Sequence, residues 1–178
     1  MCVHPPCSWH PHDRRGFRPV ALCADRRACW TVHQRKGDSV NGAISSGAGT
    51  ADDPWQLQTP SLSSDYTMYR DTRDGVDIIV CTVGKTVLFY AARCLDDLYA
   101  MLQAHGDWME LGSADEQKPA KDGTVEAWGR SGSNPIGGWY GVKRGLRGRF
   151  GMYVPPLMEH LGLAELEHNA RNNRMRAI

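Results

Sequence analysis

Hydrophobic and polar residues alternate most clearly between positions 65 and 91, and that stretch predicts the first part of the fold. In "DYTMYRDT" (65–72), Tyr66 and Met68 stand at period two, the spacing of a strand with one buried face, and "DG" at Asp74-Gly75 follows as a hairpin turn. Two β-branched runs, "VDIIVCTV" and "KTVLFYA", come next with only Gly84 between them, so the order predicts a three-stranded antiparallel meander. The period then changes. In "CLDDLYAMLQAHG" the residues Leu95, Leu98, Tyr99, Met101 and Leu102 fall at helical spacing, Asp96 and Asp97 suit the first turn, and Gly106 is a C-terminal stop. This helix is expected to cover one face of the sheet.

Later elements are shorter. "DWMELG" reads as a brief strand and "SADEQKPAKDG" as an exposed polar loop. "TVEAWGR" reads as a helical turn capped by Thr124, although the same residues also fit a strand. "PPLMEHLGL" suits a short helix with Pro155 and Pro156 in its first turn, where their missing N–H groups are not needed. "LAELEHN" and "NRMRAI" read as a terminal hairpin. The fold class expected is α+β: a small antiparallel sheet, meander plus C-terminal hairpin, packed by one main helix and one or two short helices.

Residues 1–49 show neither period and are rich in Pro, His, Arg, Cys and Gly, so they are expected to form a disordered tail ahead of a single domain at 50–178. Their composition also resembles a translated GC-rich leader, with Val40 as a candidate start. Cys2, Cys7, Cys23 and Cys29, with His4, His10, His12 and His33, offer zinc ligands. Four residues separate the first cysteine pair and five the second, whereas zinc sites favour two to four, so no metal is expected.

Composition narrows the function classes. The 178 residues carry 21 Lys and Arg against 20 Asp and Glu, a net charge of +1, so no global field attracts nucleic acid or an anionic membrane and any such binding must be local. No apolar run approaches the roughly 18 residues of a membrane span, and the first residues lack the apolar segment of a secretory leader. A soluble, cytoplasmic protein is the expectation.

Local charge does occur. "GGWYGVKRGLRGRFGMYVPP" (137–156) holds six glycines and four cations, Lys143, Arg144, Arg147 and Arg149, without an acidic side chain. Glycines at this density exclude regular structure and let the backbone approach a ligand, and a following helix N-terminus would favour an anion. Trp139, Tyr140, Phe150 and Tyr153 could add stacking faces of the kind single-strand and RNA binders use. The competing reading puts these aromatics in the core and pairs the arginines with the acids of 107–126. Neither a P-loop nor a dinucleotide fingerprint is present, since "GKT" at 84–86 lacks its upstream glycine, and no cofactor is expected.

Other candidates are weaker. Cys94 near a helix N-terminus could be a nucleophile, but His105 lies at the far end of the same helix, about 16 Å away, and a buried, inert Cys81 and Cys94 fit the pattern better. Asp115/Glu116 and Glu165/Glu167 could serve as acid–base pairs or as ordinary surface charge, and His105, His160 and His168 have no metal-binding spacing. If the terminal hairpin lies beside the glycine loop, Arg171, Arg174 and Arg176 would extend its positive surface.

The segments "ADDPW", "YTMYRD", "CTVGKTV", "GDWMELGSADEQKPAK", "TVEAWGRS" and "GGWYGVKRGLRGRFGMYVPP" resemble a family of small bacterial proteins with no assigned function. The resemblance covers roughly the last 130 residues; it implies that the tail is dispensable to the fold and implies no activity. Three functions stay open: a small cytoplasmic domain whose Gly/Arg loop binds an anion, nucleic acid first; an enzyme acting on a phosphorylated or carboxylated metabolite; and a protein-interaction module.

Overall fold

Strand alternation places the first sheet as expected and extends it. A computed structural model describes residues 47–178. Within them β1 (Trp55–Gln58), β2 (Asp65–Arg73), β3 (Val76–Val83) and β4 (Thr86–Ala91) form an antiparallel sheet in the order β1-β2-β3-β4. Tyr66 and Met68 on β2 are buried, as are Ile79 and Cys81 on β3 and Leu88 and Tyr90 on β4. The β2–β3 turn holds Asp74 and Gly75 both at positive φ, and the β3–β4 turn holds Gly84 alone, the backbone forms that tight hairpins favour. The meander therefore has four strands, one more than the pattern predicted. β1 contributes only Trp55 and Leu57 to the buried face, too few positions to display a period.

The helix α1 (Cys94–His105) ends at Gly106 in the left-handed conformation, whose N–H donates to the Leu102 carbonyl. It buries Cys94, Leu95, Leu98 and Leu102 as a single stripe. After β5 (Met109–Glu110) comes α2 (Val125–Trp128), where the Thr124 hydroxyl accepts from the Ala127 N–H as a helix cap. The final helix, α3 (Phe150–His160), starts five residues before Pro155 and holds both prolines in its interior. Their missing N–H groups leave the Gly151 and Met152 carbonyls without helical donors. The extra turn persists because Phe150, Tyr153 and Val154 are buried, and eight residues of α3 are buried in all. α3 is thus as much the central helix as α1, contrary to the expectation of one main helix and a short proline-led one.

β6 (Ala164–Leu166) and β7 (Arg174–Ala177) pair as the predicted hairpin, and β5 joins on the other side to make a second sheet, β5-β7-β6. The α+β class holds. One core runs through both sheets and all three helices, with Met68, Ile79, Tyr90, Leu98, Phe150, Leu157 and Met175 nearly or fully buried. Among the described residues no helix is long and apolar enough to cross a membrane. The readings made for residues 1–46, including the zinc candidates and Val40, lie outside the described residues.

Candidate functional site

The Gly/Arg stretch leaves α2 as a loop whose shape is set by buried polar groups. Asn134 is buried, and its side-chain amide donates to the Trp128 and Gly138 carbonyls while its oxygen accepts from Ile136 and Gly138 N–H. The chain then runs beside β4: Ala91 N–H donates to the Tyr140 carbonyl and Val142 N–H to that of Phe89. Tyr140 offers no face to a ligand, since it is fully buried, stacks on Phe150 at 5.5 Å and donates its hydroxyl to Asp97 at 2.7 Å. Phe150 and Tyr153 are core residues too. Trp139 is the partly exposed aromatic of the stretch, and the guanidiniums of Arg130 and Arg147 lie 4.5 and 4.6 Å from its ring centre.

Three glycines bring backbone against backbone within the protein itself. A Cβ at Gly141 would overlap Arg147, one at Gly148 would overlap the chain at Ala114 to Glu116, and one at Gly151 would overlap the Leu111 carbonyl. The "SADEQ" loop is thereby clasped, and its acids meet the arginines. Glu116 accepts from the Arg147 N–H at 2.9 Å and from its guanidinium at 2.9 and 2.6 Å, while Arg149 donates to Asp115 at 2.5 Å. Arg147 and Arg149 hold the Glu116 and Asp115 carboxyls below their ordinary range.

Beneath these pairs lies Glu126, the last of the acids of 107–126 and one that its sequence context does not single out. Glu126 is buried and takes Arg130 on one oxygen and the Gly151 N–H, at 2.8 Å, on the other. Arg130 also donates to the carbonyls of Ala114, Asp115 and Lys118. The anion expected at the N-terminus of the loop's helix is therefore the protein's own carboxylate. Burial pushes the Glu126 carboxyl up despite both donors, because removing it from water costs more than they restore. The i,i+4 spacing of Glu126 and Arg130 in "TVEAWGR" was the available clue.

The four cations of the loop consequently separate. Arg147 and Arg149 are tied to acids, whereas Lys143 and Arg144 are exposed and have no acid within ion-pair distance among the described residues. Two grooves flank Arg149. One, of about 380 Å³, runs between Val83, Thr86, Asp115, Glu116 and Gly145. The other, of about 600 Å³, runs between the 59–64 turn, the 110–113 segment, the start of α3 and the 170–173 turn, and includes Arg171. Arg171 thus does share a concavity with Arg149. Arg174 and Arg176 instead pair with Glu167 and Glu165 across the hairpin and flank Trp108.

Cys81 and Cys94 are buried and free, and burial pushes both thiols well up, away from the thiolate a nucleophile needs. His168 ties the Pro60 carbonyl to Glu159, at 2.9 and 3.0 Å, and so links three segments. No three His, Cys, Asp or Glu side chains cluster as a metal site would require among the described residues.

Comparison with curated proteins returns no match, and comparison with solved structures returns none either. Residues 47–178, which hold every element of this fold and both grooves, match a family of unknown function, DUF6855, and the chain belongs to that family.

Proposed function

We propose that the chain is a small cytoplasmic binding domain that meets an anionic partner through the tip of the Gly/Arg loop, Val142 to Gly145, with the nucleic-acid backbone as first candidate. The carrying observation is the pair Lys143 and Arg144, adjacent, exposed and without acid partners among the described residues. The turn that displays them is held on both sides, by the Val142 N–H on the Phe89 carbonyl at 2.8 Å and the Leu146 N–H on the Lys143 carbonyl at 3.0 Å. Such cations contact phosphates without reading sequence. Because Tyr140, Phe150 and Tyr153 lie in the core and the Trp139 ring is taken by the Arg130 and Arg147 guanidiniums, base stacking contributes little and the association is expected to be sequence-independent and strongly salt-dependent.

Fluorescence anisotropy with a labelled oligonucleotide, single-stranded and duplex, at about 50 and 200 mM salt tests this. Lys143→Ala with Arg144→Ala should weaken binding several-fold and reduce the slope of log affinity against log salt by about 1.4 to 1.8, the share of two phosphate contacts. Binding that ignores salt, or a double variant indistinguishable from the parent, would overturn the proposal.

A further inference from the structure

The groove of about 600 Å³ has the size of ligand sites, roughly 300–1,000 Å³, and is walled by segments far apart in the chain. Its side chains are mainly hydroxyls, amides and cations: Lys121, Arg149 and Arg171 face a single acid, Glu110. Lys121 is held by Glu110 at 2.5 Å and Arg149 by Asp115 at 2.5 Å. Arg171 is left as the wall cation without an acid partner among the described residues. Ser64 and Ser113 line the same groove, and their hydroxyls make no hydrogen bond among the described residues, so each keeps a donor and an acceptor for a guest.

From these features we infer that the groove binds a small phosphorylated, hydroxyl-rich molecule of sugar-phosphate size, with Arg171 on the phosphate and the serines on ligand hydroxyls. A guanidinium matches phosphate oxygens in a planar fork, and hydroxyl–hydroxyl pairs fix the orientation of the remainder. The walls are set before any ligand arrives. Asn173, buried, bridges the Asn169 N–H at 2.6 Å and carbonyl at 2.9 Å, closing the turn that carries Arg171. His168, at the base of that turn, anchors it to Pro60 on the opposite wall and to Glu159 of α3. The 59–64 turn is closed in turn by the Thr59 N–H on the Ser64 carbonyl at 2.9 Å. Beyond fixing the Arg171 side chain, little ordering cost would oppose binding. The site stands apart from the loop tip, because neither Lys143 nor Arg144 lines it.

Isothermal titration calorimetry of the full chain with ribose 5-phosphate, ribose and inorganic phosphate tests the inference. Ribose 5-phosphate should bind more tightly than either part alone. Arg171→Ala should weaken it at least tenfold and Arg171→Glu abolish it, with unfolding midpoints unchanged since Arg171 is exposed. Ser64→Ala with Ser113→Ala should weaken ribose 5-phosphate while leaving inorganic phosphate unaffected. Lys143→Ala with Arg144→Ala should change none of these affinities, so failure here leaves the loop proposal standing and the converse also holds. Absence of ribose 5-phosphate binding at millimolar concentration overturns the inference. So does an Arg171→Ala variant that binds like the parent, or sensitivity to the loop-tip variants alone.

Discussion

Lys143 and Arg144 share a loop with Arg147 and Arg149, yet the two pairs live in different surroundings. The first two stand on an exposed turn with no acid within ion-pair distance among the described residues, while the second two close on Glu116 and Asp115 above a buried Glu126–Arg130 pair. Residue type alone does not separate them; the glycines do. Where a Cβ would meet backbone, at Gly141, Gly148 and Gly151, the chain is pressed against its own loops, and where Gly145 has open space around it the cations face water. A basic, glycine-rich stretch can therefore be half clasp and half solvent-facing turn.

The sharpest way to break this division is at its buried end. Glu126→Ala leaves the Arg130 guanidinium, itself little exposed, and the Gly151 N–H without their carboxylate, and should lower unfolding free energy in urea by about 3–5 kcal/mol. Glu126→Gln keeps the shape and one acceptor and should cost less. A near-neutral Glu126→Ala would show that the clasp does not depend on its internal anion.

Acid titration should give the next effect, with opposite signs at two depths. Asp115 and Glu116 have depressed pKa values, so the stability they confer is present above the usual carboxylate range and is lost as pH falls below about 4 through their folded values. Glu126 has a raised value, so it favours folding while protonated and that contribution is lost as pH rises through its folded pKa. Urea midpoints between about pH 3 and 6 should fall on the acid side, and Arg147→Ala with Arg149→Ala should flatten that fall. An unchanged profile in the double variant would dissolve the contrast.

The smallest effect belongs to the tip. Lys143→Ala with Arg144→Ala should leave the unfolding free energy in urea within about 0.5 kcal/mol of the parent, because exposed side chains without an acid partner among the described residues hold nothing together. A larger loss would mean that the tip, too, is structural.

Most of the fold was legible because long elements repeat their pattern. Tyr66 and Met68, the β3 and β4 runs and the Leu95–Leu98–Leu102 stripe each declare a period. β1 was hard to see for the opposite reason, since four residues cannot display one, whereas β5 falls inside "DWMELG", the segment that reads as a brief strand. Pro155 and Pro156 misled by imitating a helix start, since local chemistry gives no notice that a buried Phe150–Val154 segment will extend the helix past its weak point. The candidate site was legible in outline, since the competing reading put its aromatics in the core and paired its arginines with the acids of 107–126, but the individual partners were not. Glu116 pairs with Arg147 from 31 residues away and Asp115 with Arg149 from 34, across a loop that composition alone marks as solvated. The large groove draws on segments, from Thr59 to Asn173, that no local motif connects.

The bonds from Tyr140 and Val142 to Ala91 and Phe89 also cover the outer side of β4, the last strand of its sheet. An uncovered edge strand is a template for pairing with another molecule, and Val87, Phe89 and Ala91 would make an apolar one. Any change that releases the clasp thus does more than loosen a loop: it opens a route to strand-by-strand self-association, and damage there would show first as loss of solubility in concentrated samples.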